Sequence, residues 1–141
     1  MNAPAAAGPI VVGVVSTPEG HAALRHAGQE ALLRRLPRVV VDLSREGHDA
    51  TPTSIEPDLA ELRAECDAAS LTADIAPAAS FLEPSEHLLK VTQEAEAMLI
   101  VIGLRHRSRV GKFLLGSSVQ RIVLEADCPV VTVKSTADAP F

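Results

Sequence analysis

Two short runs of aliphatic residues constrain the fold of this chain more than any other feature. One run, PIVVGVV, covers residues 9–15, and the other, AMLIVIG, covers residues 97–103. Neither run alternates apolar with polar residues, as a strand with one face in solvent would do. Each is therefore predicted to be a strand buried on both faces. Strands of this kind occupy the centre of a parallel sheet, and we predict that the two are neighbours there.

The rest of the chain alternates between strand and helix patterns. Such alternation predicts right-handed crossovers and an α/β fold, with a mainly parallel sheet and helices on both faces. The segment around Pro77 is predicted to be a weak edge strand, because proline cannot donate a hydrogen bond to a neighbouring strand. The other predicted strands are 37–43 and 129–134, the edge strand is 73–79, and helices are predicted to begin at Pro18, after a cap at Ser54, at Pro84 and at Gly116.

Length and composition predict one domain with an aliphatic core. We assign the domain to residues 9–134, between short tails at 1–8 and 135–141. Apolar residues make up 47% of the 141, but three Phe and no Tyr or Trp are among them, so Val, Leu, Ile and Ala must fill the core. The net charge of -5 disfavours a nucleic-acid binder. No apolar run approaches the ~20 residues that a membrane-spanning helix needs. The first predicted helix carries an apolar stripe of Ala23, Leu24, Ala27, Ala31 and Leu32.

The basic residues are unevenly distributed. Five of them lie between residues 97 and 124, where the chain has no Asp or Glu. They are Arg105, Arg107, Arg109, Lys112 and Arg121. A phosphate-bearing ligand would explain this cluster, and a well-solvated loop is the alternative.

The glycines beside this cluster favour the ligand. Gly103 directly follows the second buried run, and Gly116, Ser117 and Ser118 open a predicted helix. The first amides of a helix have no intrahelical partner, so they form a natural anion site, and the serine hydroxyls add donors. The alternative is that Gly103 only ends a strand and Ser117 only caps a helix. The motif is neither a P-loop nor a dinucleotide-binding GxGxxG.

Other reactive side chains do not form a recognisable constellation. His21 and His26 are five residues apart on one helix, so they point in different directions and are predicted to be solvated, and His87 is predicted to lie on a helix surface. Cys66 and Cys128 are interpreted as reduced thiols. No serine stands in a nucleophile elbow and no carboxylate pair is positioned for acid–base catalysis. We therefore identify no catalytic residue and no metal site.

The carboxyl-terminal stretch resembles the universal stress protein family. That family's pattern is Gly, two residues, Gly, nine residues, Gly and then Ser or Thr, followed by a helix and a "CPV" strand. This chain has Gly103-Leu-Arg-His106, nine residues, Gly116-Ser117-Ser118 and then QRIVLEADCPVVTV. The start of the chain is similar too, with an apolar strand, a Ser/Thr-Pro-Glu turn and an Ala-rich helix. The resemblance covers about residues 9–134.

The resemblance implies a Rossmann-like open parallel five-stranded sheet with strand order 3-2-1-4-5. It also implies a cytoplasmic homodimer with a role in stress survival. Some members bind ATP or another adenine nucleotide in a pocket formed by the ends of the first two strands and the glycine motif. The positions that match this pocket are Gly13, Val15, Leu43, Ile102, Gly103, Arg105, His106, Gly116, Ser117 and Ser118.

Two positions depart from the pattern of the nucleotide binders. Binders usually carry Asp where this chain has Val15, so a carboxylate that could hold a ribose hydroxyl or a metal is missing. The second glycine of the motif is His106, whose imidazole, beside Arg105, could itself donate to a phosphate. We expect an ATP-binding or other adenine-nucleotide-binding stress-response module. The alternative is an interaction protein of the same fold with a degenerate pocket, and slow hydrolysis of a bound nucleotide also stays open.

The last strand predicts the assembly. Residues Pro129–Val133 are flat and β-branched, without the inward charge or bulge that usually protects a sheet edge. Pairing with a second copy across a two-fold axis would satisfy this edge, and the resemblance points to the same homodimer. Coverage of the edge by residues 135–141 is the alternative. The sequence does not identify a signalling partner.

Overall fold

The computed structural model describes residues 8–14, 18–43, 56–77, 82–104 and 116–134. Along these ranges, strands and helices alternate as the sequence predicts. The elements are β1 (Ile10–Val14), α1 (Pro18–Arg34), β2 (Arg38–Asp42), α2 (Glu56–Ala68), β3 (Ala73–Ile75), α3 (Pro84–Ala95), β4 (Leu99–Gly103), α4 (Ser117–Glu125) and β5 (Val130–Val133).

The strands form one parallel sheet in the order β3-β2-β1-β4-β5. This confirms the predicted α/β, Rossmann-like fold and its 3-2-1-4-5 order. It also confirms that the two aliphatic runs are central neighbours, because β1 pairs with β4 from Ile10↔Leu99 to Gly13↔Ile102. The segment around Pro77 contributes a short strand that ends at Ile75, at the edge of the sheet, as predicted.

Helices cover both faces of the sheet and create two hydrophobic clusters. Alternate residues of β1 point to opposite faces, so Val12 contributes to one cluster and Val11 to the other. The first cluster packs α1 and Leu62 of α2 against the sheet. The second packs Leu88 of α3 and Ile122 of α4 against the opposite face. Every residue of β1 is buried, which explains why its sequence shows no polar alternation.

Two predictions of exposure are wrong. Leu32, assigned to the buried stripe of α1, is 36% exposed, whereas Ala31 beside it is fully buried. His87, predicted to lie on a helix surface, is only 8% exposed. Because α3 contacts α4 as well as the sheet, a wider face of α3 is buried than an isolated surface helix would bury.

The segment before β1 is fixed against the end of α3. The amide of Met98 donates to the carbonyl of Pro9 at 2.9 Å. Glu96 ends α3 with a left-handed backbone, φ 54°. A Cβ atom on Gly8 would overlap the carbonyl oxygen of Glu96, so glycine permits a close approach of the two segments. Gly8, which we assigned to a tail, therefore contacts the domain; the tail predictions for 1–7 and 135–141 lie outside the described residues.

We predict that Gly8→Ala lowers the free energy of unfolding by about 1–3 kcal/mol, because a backbone carbonyl cannot give way as a flexible side chain can. Urea denaturation followed by circular dichroism measures the change. Gly116→Ser is the matched control, since a Cβ atom there meets no heavy atom of the described residues within 4 Å. Equal stability of the wild type and Gly8→Ala would contradict the prediction.

Candidate functional site

The carboxyl edge of the sheet has a reversal of strand order between β1 and β4. From β1 the chain continues into α1 on one face, whereas α4, which follows β4, packs on the other face. Ligands of open α/β sheets bind in the crevice that such a reversal creates. Three of the predicted site residues, Gly13, Ile102 and Gly103, belong to the last positions of these two strands.

The fold brings Gly13, Leu43 and Ile102 together at this edge. Leu43 follows β2, and its amide donates to the carbonyl of Val14 at 2.8 Å. Its side chain then lies over β1, because a Cβ atom on Gly13 would stand 2.7 Å from Leu43 Cδ1 and 3.3 Å from Ile102 Cγ2. A residue with a side chain at position 13 would have to displace Leu43. The predicted glycine therefore has a structural reason here. All three residues are apolar; Leu43 is partly exposed, whereas Gly13 and Ile102 are buried.

The amino terminus of α4 has the geometry of an anion site. Gly116 precedes the helix with an extended backbone, φ -64° and ψ 162°, and its carbonyl accepts from the amide of Gln120 at 3.0 Å. The amides of Ser117 and Ser118 belong to the first turn, where helical amides have no intrahelical partner. The first turn holds no acidic residue. Gly116, not Ser117, occupies the cap position, so the interpretation that Ser117 only caps the helix is wrong.

Arg121 does not add its charge freely to this site. Its Nη1 lies 3.6 Å from Oε2 of Glu86, and its Nε lies 3.3 Å from Oε2 of Glu125. These partly exposed ion pairs contribute little to stability, but they neutralise the guanidinium and link α4 to the first turn of α3. Spacing along α4 could have indicated the pair with Glu125, four residues on, but not the pair with Glu86, which belongs to another helix.

Several predicted site residues lie outside the described residues. These are Val15, Arg105 and His106, and the same holds for the other cations Arg107, Arg109 and Lys112. Their contribution to the site stays a prediction from the sequence.

Comparison with known proteins shows which family this chain resembles. The universal stress protein family model matches residues 7–134. A universal stress protein of Mycolicibacterium smegmatis is 32% identical over 126 residues, which are 89% of this chain and 96% of that protein. The chain belongs to the universal stress protein family.

Solved structures of universal stress proteins superpose on this chain. One from Archaeoglobus fulgidus is 28% identical with a TM-score of 0.72, covering 92% of this chain and 100% of that one. A universal stress protein of the same organism was solved in complex with dAMP; it is 26% identical with a TM-score of 0.64, covering 90% of this chain and 98% of that one.

Two polar side chains of α3 are buried although the sequence did not predict it. Ser85, in the first turn of α3, is 1% exposed, and His87 is the buried histidine described above. The Ser85 hydroxyl has no hydrogen-bond partner among the described residues. The signal available was its spacing, since Ser85 stands three residues before Leu88 and shares the inward face of α3 with it.

Other features of this stress protein concern different parts of the chain. Within the described ranges, no group of three His, Cys, Asp or Glu side chains could hold a metal ion. None of the helices described is both long and apolar enough to cross a membrane.

His26 Nε2 lies 3.2 Å from Oε2 of Glu30, and the pKa of Glu30 is lowered, chiefly by its hydrogen bond to Arg34.

Cys128 precedes β5, so it lies at the amino ends of the strands, opposite the carboxyl edge where the site is predicted. It borders a cavity of about 360 Å³ between the carboxyl ends of α3 and α4, which Glu96, Glu125 and Asp127 also line. Burial raises the pKa of the Cys128 thiol, and the Asp127 carboxylate raises it further. The thiol therefore stays protonated at neutral pH and is a poor nucleophile.

We predict slow alkylation of Cys128 and a moderate acceleration by Asp127→Asn. Removing the carboxylate lowers the pKa of the thiol and increases the thiolate fraction at any pH below that pKa. The gain at pH 7.5 should be moderate, because burial is the larger cause of the raised pKa and remains in the variant. Iodoacetamide kinetics in a Cys66→Ser background measure the rate. Both proteins should react equally fast in denaturant, and an equal rate in the folded state would contradict the prediction.

Proposed function

We propose that the protein is an adenine-nucleotide-binding module of the universal stress protein family. In this proposal the phosphates lie at the amino terminus of α4, and the nucleoside lies over the carboxyl ends of β1, β2 and β4. Gly13, Leu43 and Ile102 supply apolar contacts, and the amides of Ser117 and Ser118 donate to the phosphates.

The observation that carries the proposal is the environment of Gly116. This residue is exposed, its φ of -64° is accessible to any residue, and no heavy atom of the described residues lies within 4 Å of where its Cβ would stand. The fold described here therefore does not require glycine at this position. An approach of a ligand to the backbone does require it, because a side chain would stand between the ligand and the amides.

The electrostatic setting supports a phosphate at this position. The first turn of α4 contains no carboxylate, so the positive end of the helix dipole is not neutralised locally. The sequence places Arg105, His106 and Lys112 in the segment that joins β4 to α4. The universal stress protein of Archaeoglobus fulgidus that was solved with dAMP, 26% identical to this chain, supports an adenine nucleotide as the ligand.

Isothermal titration calorimetry with ATP, ADP and AMP tests the proposal, with GTP as the control for base selectivity. Binding of an adenine nucleotide, or its release when protein purified without added ligand is denatured, is the expected result. No heat at millimolar concentrations of all three would overturn it. The second candidate, an interaction protein with a degenerate pocket, would then be favoured by the position of the Leu43 side chain over Gly13.

A pair of variants at Gly116 separates volume from charge. We predict that Gly116→Asp binds ATP at least about tenfold more weakly than Gly116→Asn, because the carboxylate meets the phosphates while the two side chains have the same size. Both variants should bind more weakly than the wild type. Calorimetry measures the affinities, and thermal unfolding should stay close to that of the wild type, since Asp and Asn are both good cap residues. Equal affinity of the two variants would contradict a phosphate at this site.

We also propose a homodimer through β5, from Pro129 to Val133. Among the described strands, β5 has β4 as its neighbour on one side. The amides of Ile100 and Leu104 donate to the carbonyls of Pro129 and Val133, so the backbone polar groups of the odd-numbered residues in this segment face β4. The backbone N–H and C=O groups of Val130 and Thr132 therefore point to the free edge, where a second copy could pair with them.

Thr132→Pro tests this edge without breaking the sheet. Proline removes an amide that points away from β4, and edge strands tolerate it. We predict that the variant is monomeric in sedimentation velocity at micromolar concentration, whereas the wild type and Thr132→Val are dimeric. Circular dichroism should confirm that all three are folded. A dimeric Thr132→Pro would contradict pairing through this edge, and a monomeric wild type would contradict the dimer itself.

The proposed role is binding rather than catalysis. No carboxylate pair or nucleophile is brought together among the residues described at the carboxyl edge, and the sequence predicts no general base there. Product analysis after long incubation with ATP tests the remaining possibility of slow hydrolysis. The cytoplasmic location and the signalling partner stay predictions.

A further inference from the structure

Ser85 lies at the level of the carboxyl edge of the sheet. The helix α3 joins β3 to β4 in a parallel sheet, so it begins at the carboxyl edge and runs back along the face that Leu88 covers. Because α3 runs antiparallel to the strands, Ser85 is about 4.5 Å nearer to the carboxyl edge than Leu88, on the same inward face of the helix. Its side chain is therefore directed at the region where the strands end.

The hydroxyl of Ser85 is costly where it stands. It is buried without a hydrogen-bond partner among the described residues, whereas the hydroxyl of Thr92, two turns further along the same face, donates to the carbonyl of Leu88 at 2.7 Å. A buried hydroxyl without a partner destabilises the folded state, and an apolar residue of similar size would avoid that cost. A residue that costs stability in this way is a candidate for a functional contact.

The position of α3 relative to α4 decides which part of a nucleotide Ser85 can meet. Glu86, next to Ser85, contacts Arg121 of α4, so the two helices lie side by side at this edge. Packed helices are separated by about 8–10 Å between their axes. A phosphate at the amino terminus of α4 is therefore one helix spacing from the first turn of α3, which matches the offset between a nucleotide's phosphate and its nucleoside.

We infer that Ser85 is a specificity-determining residue that hydrogen-bonds the nucleoside part of the bound nucleotide. The inference rests on the proposed function. Leu43 and Ile102, which the structure brings together at the carboxyl edge, have apolar side chains, and a single polar group in an apolar site fixes the orientation of a ligand. Ser85 would supply that group in a chain whose sequence has Val15 where the nucleotide binders usually carry Asp.

Ser85→Ala tests the inference because its two effects have opposite signs. The variant should bind ATP about three- to tenfold more weakly than the wild type, as expected for the loss of one neutral hydrogen bond. Without ligand it should unfold at the same temperature or a higher one, because the unpartnered hydroxyl is gone. Calorimetry and differential scanning calorimetry measure the two quantities. A variant with lowered stability would contradict the inference, since the hydroxyl would then have a structural role.

Thr92→Val is the matched control. It removes a hydroxyl from the same helix face about 10 Å away, one that is already satisfied within the helix. It should lower the unfolding temperature and leave the affinity for ATP unchanged. An affinity loss equal to that of Ser85→Ala would indicate a general disturbance of α3 and overturn the inference.

Nucleotide analogues identify the group that Ser85 contacts. If Ser85 binds the sugar, the difference between wild type and Ser85→Ala disappears with 2′-deoxy-ATP or 3′-deoxy-ATP. If it binds the base, the difference persists with both and disappears with purine riboside triphosphate, which lacks the 6-amino group. If the wild type binds ATP and Ser85→Ala binds it with the same affinity, the inference is overturned and the proposed function stands. Absence of wild-type binding overturns the proposed function as well.

Discussion

The backbone hydrogen bonds between β1 and β4 join the two halves of this protein. One half holds β1 to β3 and the other holds β4 and β5, so the pairing from Ile10↔Leu99 to Gly13↔Ile102 makes them a single sheet. Both strands are buried on two faces because the helices of each half cover opposite sides. An aliphatic core without Tyr or Trp is sufficient here, since β-branched residues pack closely on a pleated surface.

The same pairing creates the candidate site. Where β1 and β4 are neighbours, the chain leaves in opposite directions, and the crevice between these connections is open to a ligand. Gly13 leaves room for the Leu43 side chain, which reaches from the end of β2 over β1. The helices α3 and α4 begin beside this same edge of the sheet. Strand order, the close approach at one glycine and the helix dipole of α4 therefore converge on one place. That convergence is the physical basis of the nucleotide-binding proposal.

Polar residues inside the two apolar layers behave differently from one another. Arg38, at the start of β2, is fully buried, and its Nη1 lies 3.2 Å from where a Cβ atom on Gly28 of α1 would stand. Burial of a guanidinium is costly unless polar groups surround it. The carboxylate oxygen Oε1 of Glu65 lies 3.8 Å from the same Cβ position on Gly28. Thr92 satisfies its hydroxyl within its own helix. Ser85 lies near the carboxyl edge of the sheet, and its hydroxyl finds no hydrogen-bond partner among the described residues.

The sequence by itself determined the elements, the order of the strands through the family resemblance, and the edge of the sheet where the candidate site is predicted. It could do so because burial on both faces removes polar alternation, and because glycine and serine at a helix start are local signals. Only the tertiary structure decided which side chains meet. Arg121 is neutralised by Glu86 of another helix, and the contact of α3 with α4 buries His87. These outcomes depend on contacts between residues distant along the chain, which periodicity and local motifs do not encode.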